Sequence, residues 1–261
     1  MNLISQETIQ ALGWTILHSL WQAAIIAILL VISLIVLRKN SSKMRYFVTS
    51  LAMLTVLMVS IITYVSISRY QNQYSARTDS PTTEIAQSQT FEITLQKASP
   101  VETPFFQTLA HFGHYFEQHL PFIVTVWFIG VVLLALRFLG AFAYLQRLKH
   151  HKTQEVSEYW KGTLKYLSSQ VGVKQSVQLF ESALVQVPMV IGHFKPVILL
   201  PLGALTGLSQ HQIESILAHE LAHIKRHDYL INILQSLLEI VLFFNPFVWW
   251  ISTKIREERE N

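Results

Sequence analysis

Three long apolar runs dominate the hydrophobic pattern of this sequence. The first extends from Ala11 to Leu37 without a charged residue, the second from about Tyr46 to Ile67, and the third from Leu120 to Leu145. Each is longer than the roughly 20 residues with which a helix crosses a hydrocarbon core of about 30 Å. The pattern therefore predicts a mainly α-helical membrane protein with three transmembrane helices.

Basic residues at the ends of these runs predict their orientation. One cluster follows the first run and another follows the third (Arg38, Lys39, Lys43 and Arg45; then Arg147, Lys149 and Lys152). Positive residues in short loops stay on the cytoplasmic side of a membrane. We therefore expect the N-terminus outside, residues 38–45 inside, residues 69–118 as an exposed outer loop, and residues 147–228 inside.

Composition agrees with this interpretation and narrows the chemistry. The chain is 51% hydrophobic and 14% charged, whereas a soluble domain carries about 25% charged residues. The net charge is +4, but the basic residues flank apolar runs, so we expect membrane lipid and no direct nucleic-acid partner. The absence of cysteine excludes disulfides and thiolate metal ligands.

The pattern changes to that of a small α+β domain between residues 153 and 209. Helical spacing predicts a helix over 158–171, and residues 177–180 are typical of a strand. Two further strand-like pieces occur within 187–200. Pro188 and Pro196 indicate edge strands for these pieces, because proline cannot donate a ladder hydrogen bond.

A capped helix follows this domain. Ser209 and Gln212 form the sequence signature of a capping box, and apolar spacing then predicts a helix over 210–227. His219 and His223 are four residues apart, which places both side chains on one helix face with about 5–6 Å between their Cβ atoms.

The pair of histidines predicts a zinc site. Two imidazoles at this spacing can bind one Zn²⁺ at about 2.0–2.1 Å. Glu220, inside the pattern His219-Glu220-Leu221-Ala222-His223, can act as general base on metal-bound water, whose pKa zinc lowers. The residues thus predict a zinc metalloprotease, with a catalytically silent membrane signal transducer as the alternative.

Several residues compete for the remaining roles around the metal. A third protein ligand is needed, and the candidates are acids that follow the helix: Glu239, Glu257, Glu258 and Glu260. His227 lies about a turn beyond the metal and is interpreted as a solvated histidine. Asp228 could orient a ligand imidazole or be an ordinary helix-end acid, and both interpretations stay open.

A proline predicts where the final acids lie. Asn245-Pro246 interrupts the apolar stretch that follows Asp228, and the residue before a proline is disfavoured in a helix. The two legs on either side would measure about 25 and 22 Å at helical rise. A helical hairpin broken at this point would return the last acids to the level of His219.

The chain resembles the membrane zinc metallopeptidases of the bacterial beta-lactam sensor-transducer or antirepressor type. The resemblance covers nearly the whole chain and rests on four groups of residues: Gly13-Trp14 with His18-Ser19-Leu20-Trp21-Gln22; Val187-Pro188 with Gly192 and Pro196-Val197-Ile198-Leu199-Leu200-Pro201; the run from His219 to Tyr229; and Phe244-Asn245-Pro246.

The resemblance implies a site, a substrate class and a location. It makes Glu260 the third zinc ligand beside His219 and His223, with Glu257 as the lesser candidate. It implies an integral membrane endopeptidase of regulated proteolysis that cleaves a cytoplasmic transcriptional repressor or itself. A second copy of the chain is a further candidate partner. We expect a multi-pass protein of the bacterial cytoplasmic (inner) membrane with its active site facing the cytoplasm.

These expectations divide the chain into five segments. Residues 1–68 hold two transmembrane helices, 69–118 the outer loop, 119–146 the third transmembrane helix, and 147–228 a zincin-like protease domain. Residues 229–261 form the membrane-associated hairpin that returns the third ligand. Because the pattern around Glu260 is incomplete, we expect the natural protein to continue beyond Asn261.

Overall fold

The computed structural model describes residues 5–78, 104–149 and 152–260. The helices are α1 (Gln6–Val36), α2 (Ser42–Thr78), α3 (Pro104–Leu148), α4 (Glu158–Val171), α5 (Ala204–Gly207), α6 (Gln210–Lys225), α7 (Asp228–Val241) and α8 (Pro246–Glu260), with a 3-10 turn over Leu37–Lys39. The strands are β1 (Thr153–Glu155), β2 (Gln178–Ser182), β3 (Met189–Ile191) and β4 (Val197–Pro201). The fold is therefore mainly helical, with one small mixed sheet.

Three helices among the described residues are long and apolar enough to cross a membrane. They cover Gln6–Lys39, Ser42–Gln71 and Tyr115–Leu148, and an 18-residue stretch within each has a mean hydropathy of 2.8, 2.1 and 2.5, respectively. These ranges contain the three predicted apolar runs, so three candidate membrane-spanning helices are found where the sequence predicts them.

The helices also continue into the segment predicted as an outer loop. α2 extends to residue 78 and α3 begins at residue 104, because polar residues with ordinary helix propensity can continue a helix that an apolar run has begun. The rest of that predicted loop, residues 79–103, lies outside the described part of the chain.

The described chain divides into two compact units. The first comprises Met1–Gly130 with Leu242–Asn261, and the second comprises Val131–Val241. The first unit thus combines the N-terminal helices with α8, whereas the second contains the sheet, α4 to α7 and the end of α3.

The first unit is held together at the start of α8 by one buried amide. Asn245 is fully buried, and its side-chain Nδ2 donates to the carbonyl oxygen of Ser19 in α1 over 2.9 Å. Its Oδ1 accepts from the backbone N–H groups of Phe247 and Val248, at 3.1 and 3.4 Å, and so caps α8. The predicted break at Asn245-Pro246 is confirmed, and its asparagine also joins α8 to α1.

The opposite end of α8 lies beside the first turn of α2. Arg45 Nε lies 2.7 Å from the Glu258 carboxylate, and the two side chains are 21% and 14% exposed. α8 therefore extends from the level of Ser19 to the basic end of the α1–α2 pair.

A glycine allows close packing in the same unit. A Cβ atom on Gly13 would lie 2.7 Å from Leu120 Cδ2, closer than real Cβ contacts permit. Leu120 is itself fully buried. A small residue therefore lets α1 and α3 approach each other here, as small residues do between membrane helices.

The second unit is built on a four-stranded sheet with the order β1-β2-β4-β3. β2 and β4 are parallel, whereas the two outer pairs are antiparallel. β3 is an edge strand, which confirms the prediction from Pro188. The prediction of an edge position from Pro196 is wrong, because Pro196 precedes the first residue of β4, where no ladder N–H is required.

Both faces of β4 are covered, which explains its uninterrupted apolar sequence. Ile198 and Leu200 lie in one core cluster with residues of α4 and α6, whereas Val197 and Leu199 lie in another with Leu148 at the end of α3. The sheet is therefore packed between α4 and α6 on one face and the end of α3 on the other.

Candidate metal centre

The helix that carries the predicted ligands begins at the predicted residue. Ser209 caps α6: its Oγ accepts from the Gln212 N–H, and Gln212 Oε1 accepts from the Ser209 N–H over 2.9 Å, which completes the capping box. The buried face, which includes Leu217 and Leu221, packs on the sheet. The cap and this packing fix the rotation of α6 and hence the direction in which the polar face points.

Two imidazoles converge on that polar face. His219 Nε2 and His223 Nε2 lie 3.0 Å apart, with the ring planes nearly perpendicular. Two nitrogens on one tetrahedral zinc ion, at about 2.0–2.1 Å each, would lie about 3.3 Å apart. The pair therefore fits a shared cation with a small adjustment, and two facing lone pairs would repel each other without a proton or a cation between them.

Asp228 holds the second histidine from behind. Its Oδ2 lies 2.7 Å from His223 Nδ1, and its side chain is 5% exposed. Arg226 Nη2 lies 3.2 Å from the same carboxylate oxygen and 3.0 Å from His223 Nδ1. A ring nitrogen can donate to the carboxylate or accept from the guanidinium, but it cannot do both.

The shorter contact decides the tautomer. Donation from Nδ1–H to the Asp228 carboxylate leaves the Nε2 lone pair of His223 directed at His219, which is the arrangement of a metal-binding histidine. Arg226 then neutralises the same buried carboxylate. Of the two interpretations that the sequence left open for Asp228, the orienting one matches this geometry. The contribution of Arg226 was missed, and the one available signal was a basic residue two positions before Asp228.

The turn after α6 brings Asp228 into position. α6 ends at Lys225, and His227 adopts a left-handed backbone conformation with φ of 58°. The predicted helix is thus two residues too long. His227 is exposed and its ring lies against His193, with centroids 5.1 Å apart. The tight turn lets α7 start at Asp228, so that its first side chain points back at His223.

The other acidic candidates lie on α6, α7 and α8. Glu220 follows His219 on α6 and is half-buried. Glu239 lies on α7, with its Oε1 3.5 Å from Gln235 Nε2. Glu260 belongs to the first unit, in the last turn of α8, where its carboxylate lies 3.6 Å from Arg259 Nε.

The other two acids of α8 have closer partners. Glu258 pairs with Arg45 at 2.7 Å, and Glu257 lies 2.6 Å from Lys254 Nζ. Glu260 is 62% exposed and is paired more loosely than either.

Comparison with protein families identifies the family of the chain that carries this histidine pair. The profile of the BlaR1 peptidase M56 family matches residues 14–261. The chain belongs to that family. Membership in M56 implies a metallopeptidase-type domain and a bound metal ion, and the imidazole pair of α6 with its carboxylate partner provides a donor set suited to such an ion.

Individual M56 relatives are similar over half of the chain. The regulatory protein BlaR1 of Bacillus licheniformis is 31% identical over 135 residues, which is 52% of this chain and 22% of that protein. The methicillin resistance mecR1 protein of Staphylococcus aureus (strain Mu50 / ATCC 700699) is 28% identical over 139 residues, 53% of this chain and 23% of the relative. The matches thus span about a fifth to a quarter of these relatives.

Proposed function

We propose that this chain is an integral membrane zinc endopeptidase that acts in regulated proteolysis. Its substrate would be a cytoplasmic repressor-like protein or the chain itself. The observation that carries the proposal is the convergence of the His219 and His223 Nε2 atoms, with Asp228 fixing the tautomer that leaves His223 free to bind a metal.

The proposed ligand set is His219, His223 and Glu260. Zinc, when bound, supplies a Lewis acid and makes water more acidic. Glu220 would accept the proton of the attacking water on its carboxylate and pass it to the leaving amine. Asp228 would hold the His223 ring, and Arg226 would balance the buried charge of Asp228.

Topology supports Glu260 as the third ligand. The Arg45–Glu258 ion pair lies at the basic end of α1 and α2, which the positive-inside rule assigns to the cytoplasm. Residues 147–228, proposed as a zincin-like domain, follow the basic end of α3, so the same rule assigns them to the cytoplasm as well. Glu260 also has the least engaged carboxylate among the three acids of the last turns of α8.

An edge strand supports a peptide substrate. β3 is an edge strand, with β4 as its one sheet partner among the described residues. Strand addition at such an edge positions a peptide backbone by main-chain hydrogen bonds. This property favours the endopeptidase over a hydrolase of small molecules.

The decisive experiment combines zinc content with cleavage. The purified chain in detergent should contain one zinc, and Glu220→Gln should keep that zinc while self-cleavage and hydrolysis of fluorescent casein fall by about 10²–10⁴-fold. Glu214→Gln, which changes a partner of Gln210 on the same helix, is the matched control and should cleave at the parent rate. Parent-like cleavage by Glu220→Gln would refute the assignment of the base.

A second candidate function is a catalytically silent signal transducer. The polar clamp between Asn245 and Ser19, and the ion pair between Arg45 and Glu258, couple α8 to the helices of the first unit, and such coupling suits signal transfer with or without catalysis. A parent chain that binds zinc but cleaves neither itself nor casein would favour this alternative.

A further inference from the structure

The strands on either side of the β3–β4 turn pack against the C-terminal end of α3. Leu148, at the last position of α3, shares a buried cluster with Ile191 of β3 and with Val197 and Leu199 of β4. α3 is the third of the helices that can cross a membrane, and Leu148 lies three residues after the end of its apolar run at Leu145. The hairpin therefore lies at the depth where the third span leaves the hydrocarbon core.

Lys149, the first residue after α3, reaches the tip of this hairpin. A Cβ atom on Gly192 would lie 2.7 Å from the Nζ of Lys149 and 3.2 Å from the carbonyl oxygen of Lys195. Gly192 has a φ of 93°, which a side chain would disfavour. The turn is thus compact, and it places Lys149 next to the residues His193 to Lys195.

The tip presents an aromatic side chain to its surroundings. Phe194 is 88% exposed, more than any other large apolar residue for which the structure describes the side chain. A phenylalanine with this exposure in water would leave most of its apolar surface hydrated, at roughly 25 cal/mol per Å². Within the interfacial layer of a bilayer, the same ring would be buried.

The charged residue of the turn and the lysine beside it are both basic. Lys195 follows Phe194 and Lys149 lies beside the turn, and neither lysine has an ion-pair partner among residues 5–78, 104–149 and 152–260. The turn from Gly192 to Pro196 contains no acidic residue. An anionic membrane surface attracts basic residues, so the sign of these charges favours anionic lipid headgroups.

We propose that the β3–β4 turn is a membrane anchor, in which Phe194 enters the interfacial layer and Lys149 and Lys195 bind anionic phospholipid headgroups. The anchor would position the sheet and also the segment that precedes Asp228. His193 in the same turn contacts His227, which precedes Asp228, so the anchored turn would also support the segment that orients His223. This inference requires that α3 crosses the membrane and does not depend on the metal.

The absence of cysteine from the chain allows a direct test. Phe194→Cys would carry the only thiol and would receive a nitroxide spin label, in the full chain reconstituted into phosphatidylcholine vesicles with or without phosphatidylglycerol. Accessibility to oxygen, which concentrates in the bilayer, would be compared with accessibility to a polar nickel chelate. Tyr166→Cys is the matched control, because Tyr166 is a 62% exposed aromatic residue on α4 of the same unit.

The expected result is an oxygen-to-nickel ratio several-fold higher at position 194 than at position 166, and higher with phosphatidylglycerol than without it. Lys149→Gln combined with Lys195→Gln in the labelled chain should remove the dependence on phosphatidylglycerol. Equal ratios at the two positions would overturn the proposal. So would a label at 194 that both reagents fail to reach in both kinds of vesicle, because that outcome means that protein, such as a second copy of the chain, covers the turn. A ratio that phosphatidylglycerol leaves unchanged would overturn the assignment to anionic lipid.

Discussion

α6 and α8, one in each unit, are positioned by different kinds of contact. α6 is capped by its own neighbours Ser209 and Gln212. α8 is capped by Asn245, whose side chain is simultaneously bound to Ser19, 226 residues earlier in the chain. A locally capped helix keeps its register even if distant parts of the chain change, whereas α8 depends on a contact that exists only in the folded first unit. The histidine pair therefore rests on local structure, and the proposed third ligand rests on long-range structure.

The largest effect on zinc binding should come from the histidine pair, which rests on local structure. His219→Ala or His223→Ala should reduce bound zinc from one per chain to none and abolish cleavage, because each change removes one of three proposed protein ligands. Metal content of the purified protein measures this. His211→Ala, an exposed histidine in the first turn of α6, should keep its zinc. Full zinc content in either ligand variant would disprove the site.

The next largest effect on zinc binding should come from the proposed third ligand, which rests on long-range structure. We expect Glu260→Ala to weaken zinc binding by at least about 100-fold, beyond the 10–100-fold that outer partners of ligands contribute. Glu257→Ala, which removes a partner of Lys254 one turn of α8 earlier, should change the affinity much less. Competition with a zinc chelator compares the two. The reverse order would move the ligand to Glu257 and leave the mechanism intact.

Asp228→Asn should have an intermediate effect. The amide keeps the size of the carboxylate but removes the charge that holds His223 Nδ1–H at 2.7 Å and that pairs with Arg226. Zinc affinity should fall by about 10–100-fold, with zinc still bound at saturating metal. If Asp228 is only a helix-end acid, the zinc affinity of Asp228→Asn will equal that of the parent.

The smallest effects concern stability, and they compare the two caps directly. Ser209→Ala should cost about 0.5–2 kcal/mol, because it removes a local cap only. Asn245→Ala should cost about 0.5–1.5 kcal/mol more, because it also removes the hydrogen bond from Asn245 Nδ2 to the Ser19 carbonyl. The midpoints of thermal unfolding in detergent measure the difference. Equal midpoints would mean that the contact with α1 contributes nothing.

The same division between local and distant contacts determines what could be predicted from the sequence. α4 was predicted with its observed limits, and the start of α6 was correct, because apolar spacing and capping residues are local signals. β1 and α5 are too short to produce a period and were missed. Pro196 was misinterpreted because its position relative to β4 depends on the pairing with β2.

The candidate site follows the same rule. The 3.0 Å approach of the His219 and His223 rings follows from their spacing on one helix, and it was expected. The choice between two roles for Asp228 needed the left-handed turn at His227, which no local pattern indicated. The place of Glu260 depends on contacts that α8 makes with α1 and α2, so it stays a prediction.

The contact between Asn245 and Ser19 also has a consequence for the time course of biosynthesis. The two residues are 226 positions apart, so a ribosome that adds about 5–20 residues per second needs about 10–45 s to synthesise the second after the first. During that interval, the Ser19 carbonyl can remain bonded within its own helix, and α1 and α2 can already be inserted side by side. Docking of α8 is then a late event, which the membrane-insertion machinery must leave room for after the earlier helices have entered the bilayer.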